Sequence, residues 1–337
     1  MNQTSKPLKV KLISESTFTI KEHGVHTAFV QTKRMLEEQG VDVLVNSFGE
    51  ADVTHIHTVG PYSLVHLLRD KKVVVSAHVV SNSFVGSIIF ASYWLPVAKI
   101  YLKFFYNKAD LVLAVAPKVK DELVELGVKS KIEIFPNPIS IKTFKKDSLA
   151  GRRLREKYRF SEDDFIVLGS GQVQERKGVA NFIETAEKLP KIKFVWVGGK
   201  PFGKLTEIDQ SLEKKVANPP KNVFFLGQKA PEEMADHYNL ADVFFLPSFQ
   251  ENAPMAVLEA AATSLPLVLR DIEQYKLLYE EDYLASGEDF AGIIGKLSEN
   301  KDLLEEYSAK ALELAKRFSF EVLGPKLVSF YGEVIKP

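Results

Sequence analysis

FIVLGSGQVQERKGVANFIETAEKL, residues 165–189, runs a short apolar strand-like stretch through a glycine-bearing turn into an amphipathic helical stretch. Strand, turn and helix in that order form one half of a βαβ unit, the building block of a parallel sheet covered by helices. Its position matters as much as its pattern. It follows the basic segment KTFKKDSLAGRRLREKYRF (142–160), which separates it from an earlier series of the same kind. Before that segment, VKLIS (10–14), VDVLVN (41–46), VTHIHT (53–58), KVVVSAH (72–78), LVLAVA (111–116) and KIEIFP (131–136) read as strands. Helical patterns such as TAFVQTKRMLEEQG (27–40) lie between several of them. After it come KFVWVGG (193–199), NVFFLG (222–227), DVFFLPS (242–248) and LPLVLRD (265–271), again separated by helices.

The restart predicts two doubly wound, Rossmann-like units rather than one long sheet, with ligands in the cleft between them. The expected boundaries are 1–145 and 146–318. A final amphipathic helix at about 319–337 is of a type that often crosses back to the first domain. A chain of 337 residues fits two domains.

Composition narrows the chemistry. With no cysteine, disulfides, thiolate metal sites and cysteine nucleophiles are excluded, and the seven histidines lack zinc-enzyme spacing, so no metal is expected. The N-terminal MNQTSKPLKVKLISES lacks an apolar core of signal-peptide length, which predicts a cytoplasmic protein. Net charge is zero but unevenly divided: residues 1–160 carry 24 Lys/Arg against 15 Asp/Glu, and residues 161–337 carry 20 against 29. A front half at +9 suits an anionic partner such as a lipid surface or nucleic acid, unless the division is chance variation between two solvated surfaces.

Within the opening stretch, GSGQVQERKG (169–178) places main-chain amides at a helix N-terminus with Lys177 beside them, an arrangement that binds anions and suits a diphosphate. It is not a P-loop, and no G-x-G-x-x-G follows the first strand. The alternative is a turn made by glycines, with Arg176 and Lys177 simply solvated.

A second stretch, SFQENAPMAVLEAAAT (248–263), sets Glu251 in a loop and Glu259 within an apolar helix, with Pro254 suited to the first helical position. A buried carboxylate is expensive unless it finds a partner. Two acceptors flanking a row of helix-end amides fit the hydroxyls of a sugar nucleotide. The alternative is one surface glutamate and one buried glutamate paired with a lysine.

These stretches together resemble the GT-B glycosyltransferases, specifically the large retaining family that includes sucrose synthase-like, mannosyl- and lipid glucosyltransferases. The resemblance covers nearly the whole chain: His23-Gly24-Val25, HVV (78–80), ADLVLAVAPKVKDELVELGV (109–128), IFPNPISIKTF (134–144), GQVQERKG (171–178), FLGQKAPEEMADHYNLADVFFLPS (225–248) and the E-x7-E pair Glu251 and Glu259.

The resemblance implies that Glu259 holds the donor ribose and that Glu251 contacts the transferred sugar. It places the phosphates and sugar near Gly171, Gln172, Arg176, Lys177, Asn252 and the backbone of Ala253, Pro254, Met255 and Ala256. Gly24 is implied to approach the phosphate and His78 the reacting sugar, with Gly227 and Gln228 by the nucleobase. Glu251, His78 and Lys177 are the implied catalytic group. Gln172 stands where the family usually has an arginine, and His23 where a paired glycine is usual.

SNSFVGSIIFASYWLPVAKIYLKFFYNKAD (81–110) bears on the acceptor. Its polar positions recur at roughly helical spacing against a wide apolar face, and Pro96 and several polar residues make it a poor membrane span. Phe84, Ile88, Trp94, Lys99, Lys103 and Phe104 are the expected contacts of a helix lying in an anionic bilayer interface. The alternative is a helix buried against the first domain.

Bacterial diacylglycerol glucosyltransferases, which the chain resembles, carry such a segment. The expected activity is metal-independent, cofactor-free, retaining transfer of glucose from UDP-glucose to diacylglycerol or a glycosyl-diacylglycerol, by an enzyme peripheral on the inner face of the membrane. A soluble or polymeric acceptor, or an inactive partner subunit, is the alternative.

Overall fold

A computed structural model describes residues 7–18, 24–80, 91–199 and 210–336, with residues 91–94 described by their backbone only. The chain divides into two units, residues 1–138 with 318–337 and residues 139–317.

The first unit contains β1 (Lys9–Ile13), α1 (Gly24–Glu38), β2 (Asp42–Val45), β3 (Val53–Ile56), α2 (Pro61–Arg69), β4 (Val73–Ala77), α3 (Ala91–Tyr106), β5 (Leu111–Ala114), α4 (Pro117–Glu125) and β6 (Lys131–Ile134). Its six strands are all parallel, in the order β2-β1-β3-β4-β5-β6. The central strands β3, β4 and β5 are buried along their whole length, as a sheet covered on both faces requires.

The second unit contains α5 (Ser148–Lys157), β7 (Ile166–Ser170), α6 (Val179–Lys188), β8 (Lys193–Val197), α7 (Gln210–Ala217), β9 (Val223–Phe225), α8 (Met234–Asn239), β10 (Val243–Leu246), α9 (Met255–Ala262), β11 (Leu267–Arg270), α10 (Glu273–Tyr279), β12 (Leu284–Ser286), α11 (Phe290–Glu299) and α12 (Lys301–Arg317). Its sheet is also fully parallel, ordered β12-β11-β10-β7-β8-β9. The strand β12 carries too short an apolar run to stand out in the sequence. The last helix, α13 (Phe320–Ile335), belongs to the first unit, where it packs on α1, β3 and β4.

Strand order locates the ligand crevice. In the second unit the chain leaves β7 towards β8 and β9, then returns to pair β10 against the other edge of β7 before continuing to β11 and β12. Connections that depart in opposite directions from adjacent strands open a crevice outside their carboxyl ends. Here that crevice lies between the loops after β7 and β10. An aromatic core of Phe182, Trp196 and Phe245 underpins these strands, with Phe182 5.0 Å from Trp196 and 5.5 Å from Phe245 between ring centroids. Gly169 fits the crowding, because a Cβ there would stand 2.4 Å from the Trp196 ring. In the first unit the same rule places the crevice between β1 and β3.

Candidate active site

The loop after β7 closes on itself through a single 3-10 turn, Glu175–Lys177, and Gly178 at φ +69° then starts α6. A Cβ on Gly178 would lie 2.1 Å from the Pro247 carbonyl oxygen, so glycine permits both the left-handed backbone and the close approach of the β10 loop. The two loops are laced together there. The Phe249 amide donates to the Arg176 carbonyl at 2.9 Å, and Arg176 Nη1 donates to the Gln250 carbonyl at 2.9 Å. Gln174 Nε2 donates to Gln172 Oε1 at 2.9 Å within the first loop.

This lacing carries Glu251 onto Lys177. Nζ of Lys177 donates to Glu251 Oε1 at 2.5 Å, and Arg176 Nη1 lies 3.7 Å from Glu251 Oε2. Glu251 is 5% exposed, so it is a buried member of an ion pair and not the surface residue that one sequence alternative allowed. Burial pushes its carboxyl up, but Lys177 and Arg176 outweigh burial and hold it below the usual carboxylate range. For Lys177, burial pulls the ammonium down from its usual range and Glu251 opposes that pull. A compact cationic head thus stands at the crevice with its charge matched by its own loop partner.

Glu259 lies on α9 and is 7% exposed. The Tyr238 hydroxyl on α8 donates to its Oε2 at 2.7 Å. A tyrosine, and not a lysine, is therefore the side chain that meets this carboxylate. One neutral hydrogen bond does not offset burial, which pushes the Glu259 carboxyl up to about 7.

Pro254 is the N-cap of α9, at φ −70° and ψ 121°, and Met255 is the first helical residue. The sequence pattern puts Pro254 at the first helical position, one position further into the helix than the observed N-cap, the usual uncertainty at a helix end. In the first turn the amides of Met255 and Ala256 have no intrahelical acceptor and give α9 a positive end at the crevice.

Beside this centre, the carboxyl ends of β7, β8 and β9 form a shelf of glycine backbone. Gly171 donates its amide to the Val197 carbonyl at 3.0 Å and Gly198 donates to the Gly227 carbonyl at 3.0 Å. A Cβ on Gly198, at φ +140°, would stand 1.9 Å from the Gly171 carbonyl oxygen. Gln228 borders the shelf next to Gly199, whose added Cβ would be 3.5 Å from its side chain. Such a surface lets a flat ring approach the main chain.

The residues expected from sequence therefore fall into two groups. Gly171, Gln172, Arg176, Lys177, Glu251, Asn252, Ala253, Pro254, Met255, Ala256 and Glu259 lie on the loops and helix of the β7–β10 crevice, and Gly227 and Gln228 lie at the end of β9. Gly24 and His78 belong to the first unit, as do Lys99, Lys103 and Phe104 on α3. Phe84 and Ile88 lie outside the described residues, as does the side chain of Trp94. Tyr238 and Gly198 are additions that sequence reasoning missed. The spacing from Tyr238 to Glu259 crosses a strand and a loop, and only the first glycine of VWVGG would have hinted at the shelf.

A pH dependence follows from Glu259. Its folded-state value of about 7 lies above the ordinary 4.5, so the folded protein takes up the proton more readily than the unfolded chain. The stability this group contributes is complete below pH 4.5 and is lost as pH rises through 7. If Glu259 accepts from a donor ribose, as the resemblance implies, binding requires the ionised carboxylate and UDP affinity should run the other way. Titration calorimetry is expected to show UDP binding weakening by about tenfold from pH 8 to pH 6. A flat profile would remove Glu259 from the nucleotide site.

Comparison with known proteins agrees with this architecture. The family model described as glycosyl transferases group 1 matches residues 151–318, and that described as glycosyltransferase family 4 matches residues 28–143. The alpha-galactosylglucosyldiacylglycerol synthase of Streptococcus pneumoniae is 34% identical, over 97% of this chain and 90% of that protein. The processive diacylglycerol alpha-glucosyltransferase of Acholeplasma laidlawii is 27% identical, over 98% of this chain and 99% of that protein.

Among solved structures, Anabaena HepE in complex with UDP and glucose aligns with a TM-score of 0.79 at 16% identity, over 97% of this chain and 100% of that one. Sucrose-phosphate synthase from Thermosynechococcus elongatus aligns with a TM-score of 0.77 at 15% identity, over 97% and 99%. Two parallel-sheet units, a laced crevice bearing the E-x7-E pair, and a 34% identical relative spanning both units lead to one assignment: the chain belongs to the family 4 glycosyltransferases, enzymes of the GT-B fold.

Proposed function

We propose that this protein transfers a hexose, with retention of the α configuration, from a UDP-hexose to diacylglycerol or a glucosyl-diacylglycerol at an anionic membrane surface. The observation that carries the acceptor assignment is the outer face of α3. Val97, Ile100 and Phe104 are 60%, 72% and 43% exposed at successive helical turns, with the exposed Lys99, Lys103 and Lys108 beside them. Lys108 Nζ lies 5.8 Å from the centre of the Phe104 ring. No described helix is long and apolar enough to cross a membrane. An exposed apolar stripe edged by lysines is the composition of a helix that lies in an interface. The opposite face, with Leu102, Phe105 and Tyr106 buried, anchors the helix to its domain.

The relatives support a glycolipid product, and their names differ in the sugar: one is named as synthase of a galactosylglucosyl-diacylglycerol and the other as a glucosyltransferase. The sequence reading favours UDP-glucose. Both donors therefore belong in the test.

In the reaction, the bond from the sugar anomeric carbon to the diphosphate oxygen breaks, and a bond to the acceptor hydroxyl oxygen forms on the same face. The acceptor proton passes to the leaving diphosphate. Lys177 and the α9 amides stabilise the charge that develops there, which is the role of preorganised donors in group transfer. Glu251, drawn off Lys177 as the diphosphate arrives, becomes an acceptor for sugar hydroxyls. Glu259 orients the ribose, and the family resemblance assigns His78 to the reacting sugar.

UDP release and product NMR, with UDP-glucose or UDP-galactose and vesicles of anionic lipid containing diacylglycerol or glucosyl-diacylglycerol, test this reading. Product with an α linkage on lipid is expected, and turnover on soluble sugars without vesicles would overturn the acceptor. The double variant Lys99→Glu/Lys103→Glu is expected to lower vesicle binding by at least about tenfold, each cation near an anionic surface being worth about 1 kcal/mol, while UDP binding is unchanged. Vesicle binding that survives both charge reversals would rule out α3 as the contact.

A further inference from the structure

Three histidines meet at the carboxyl ends of β3 and β4. His55 is buried and fully engaged, with Nδ1 2.6 Å from the Tyr331 hydroxyl of α13 and Nε2 2.8 Å from Ser76 Oγ. His57 follows β3 and is 2% exposed. Its Nδ1 lies 3.2 Å from Nε2 of His78, which follows β4, and the two ring planes are 23° apart. Phe29 packs edge-on against His57, with ring centroids 5.5 Å apart, and the His55 and His57 centroids are 4.4 Å apart. Among the described residues no group of three or more histidines, cysteines or carboxylates is placed to hold a metal ion. The cluster therefore calls for a reading in hydrogen bonds.

One hydrogen links His57 Nδ1 and His78 Nε2, and it belongs to one ring or the other. If His78 supplied it, His57 would carry its own hydrogen on Nε2, which is buried and has no partner among the described residues. If His57 supplies it, Nε2 is left as a bare lone pair. An orphaned buried N–H is the rarer and costlier of the two. Burial, together with the neighbouring His55 and His78, holds the His57 imidazolium well below its ordinary range, so the neutral ring with its single hydrogen is the relevant species.

We propose that His57 is the positioning residue for His78: it donates Nδ1–H to His78 Nε2 and so keeps the His78 hydrogen on Nδ1. The bond made by one ring nitrogen decides which tautomer the other presents. With its hydrogen on Nδ1, His78 is a hydrogen-bond donor at that nitrogen and not a base. This rests on the transferase reading above, in which the leaving diphosphate accepts the acceptor proton, and it gives His78 a role compatible with that route.

The test begins on the native protein without substrate. Histidine side-chain 15N NMR, with His78 assigned by comparison with His78→Gln, is expected to show a protonated Nδ1 and an unprotonated Nε2; the opposite tautomer would overturn the proposal. In turnover, His57→Asn sets its amide nitrogen near the original Nδ1 and is expected to retain kcat within about threefold. His57→Phe keeps a ring but no donor, and is expected to lower kcat by about 30-fold with KM for the UDP-hexose unchanged. Equal losses in both variants would mean that His57 is only packing. Absence of turnover on every lipid acceptor would defeat the function proposed above, while the tautomer measurement would still decide the role of His57.

Discussion

Lys177→Met is expected to destabilise the protein by about 3 kcal/mol and to abolish hexosyl transfer together. The two losses have different origins. In the native protein Lys177 and Glu251 share a 2.5 Å bond with little solvent on either side chain, at 14% and 6% exposed. Removing one member of a buried pair leaves the other uncompensated, which typically costs about 3–5 kcal/mol. Arg176, 3.7 Å from the second oxygen of Glu251, remains to share the charge and places the expectation at the lower end.

Under the proposed function, the catalytic loss comes instead from the missing charge at the departing diphosphate. The double variant Lys177→Met/Glu251→Gln separates them. It removes both charges, so urea unfolding should recover most of the lost stability, while UDP release from the UDP-hexose stays at background. If Lys177→Met unfolded at the native urea midpoint, the pair would contribute nothing to the fold and the crevice would be organised by other contacts.

The same pair shows how far the sequence can be read. The βα unit at 165–189, its repetition along both halves and the E-x7-E spacing are local patterns; they suffice for two parallel sheets and for proposing Lys177, Glu251 and Glu259 as candidates. The burial of Glu251 is not local. It depends on Gly178 letting Pro247 of the β10 loop come into contact with the β7 loop, a close approach that no period in the sequence announces. Tyr238 was missed for a similar reason, since α8 and α9 become neighbours only after β10 has inserted beside β7. His55 and His57, two residues apart on one strand face, were visible as HIH, but their partners Ser76, His78 and Tyr331 come from another strand and from the last helix. On α3, the helical spacing of the lysines was legible, whereas the exposed stripe of Val97, Ile100 and Phe104 depended on which face the domain buries.

Glu259→Ala is expected to weaken UDP binding by about 100-fold or more. A carboxylate that accepts both ribose hydroxyls makes two charge-assisted hydrogen bonds, each worth about 1.5–3 kcal/mol net. Losing even the lower value twice exceeds the factor of 100. The protein already bears a cost to keep this acceptor. A shift from 4.5 to about 7 corresponds to roughly 3 kcal/mol of net destabilisation at pH 8, which is what remains after the Tyr238 hydroxyl has relieved part of the cost of burial.

Glu259→Gln makes the trade visible, because the neutral amide keeps the shape and can still accept from Tyr238. At pH 8 it should unfold at a higher urea concentration than the native protein yet bind UDP at least about tenfold more weakly, since one of two acceptor oxygens is gone. Below pH 6, where the native carboxyl is protonated in the folded state, the stability gain should vanish and the gap in UDP affinity should narrow. A buried acid that destabilises the empty protein at neutral pH and strengthens the nucleotide complex is a site residue by energetics as well as position. Native-like UDP affinity in Glu259→Ala would show instead that this carboxylate serves the α8–α9 packing alone.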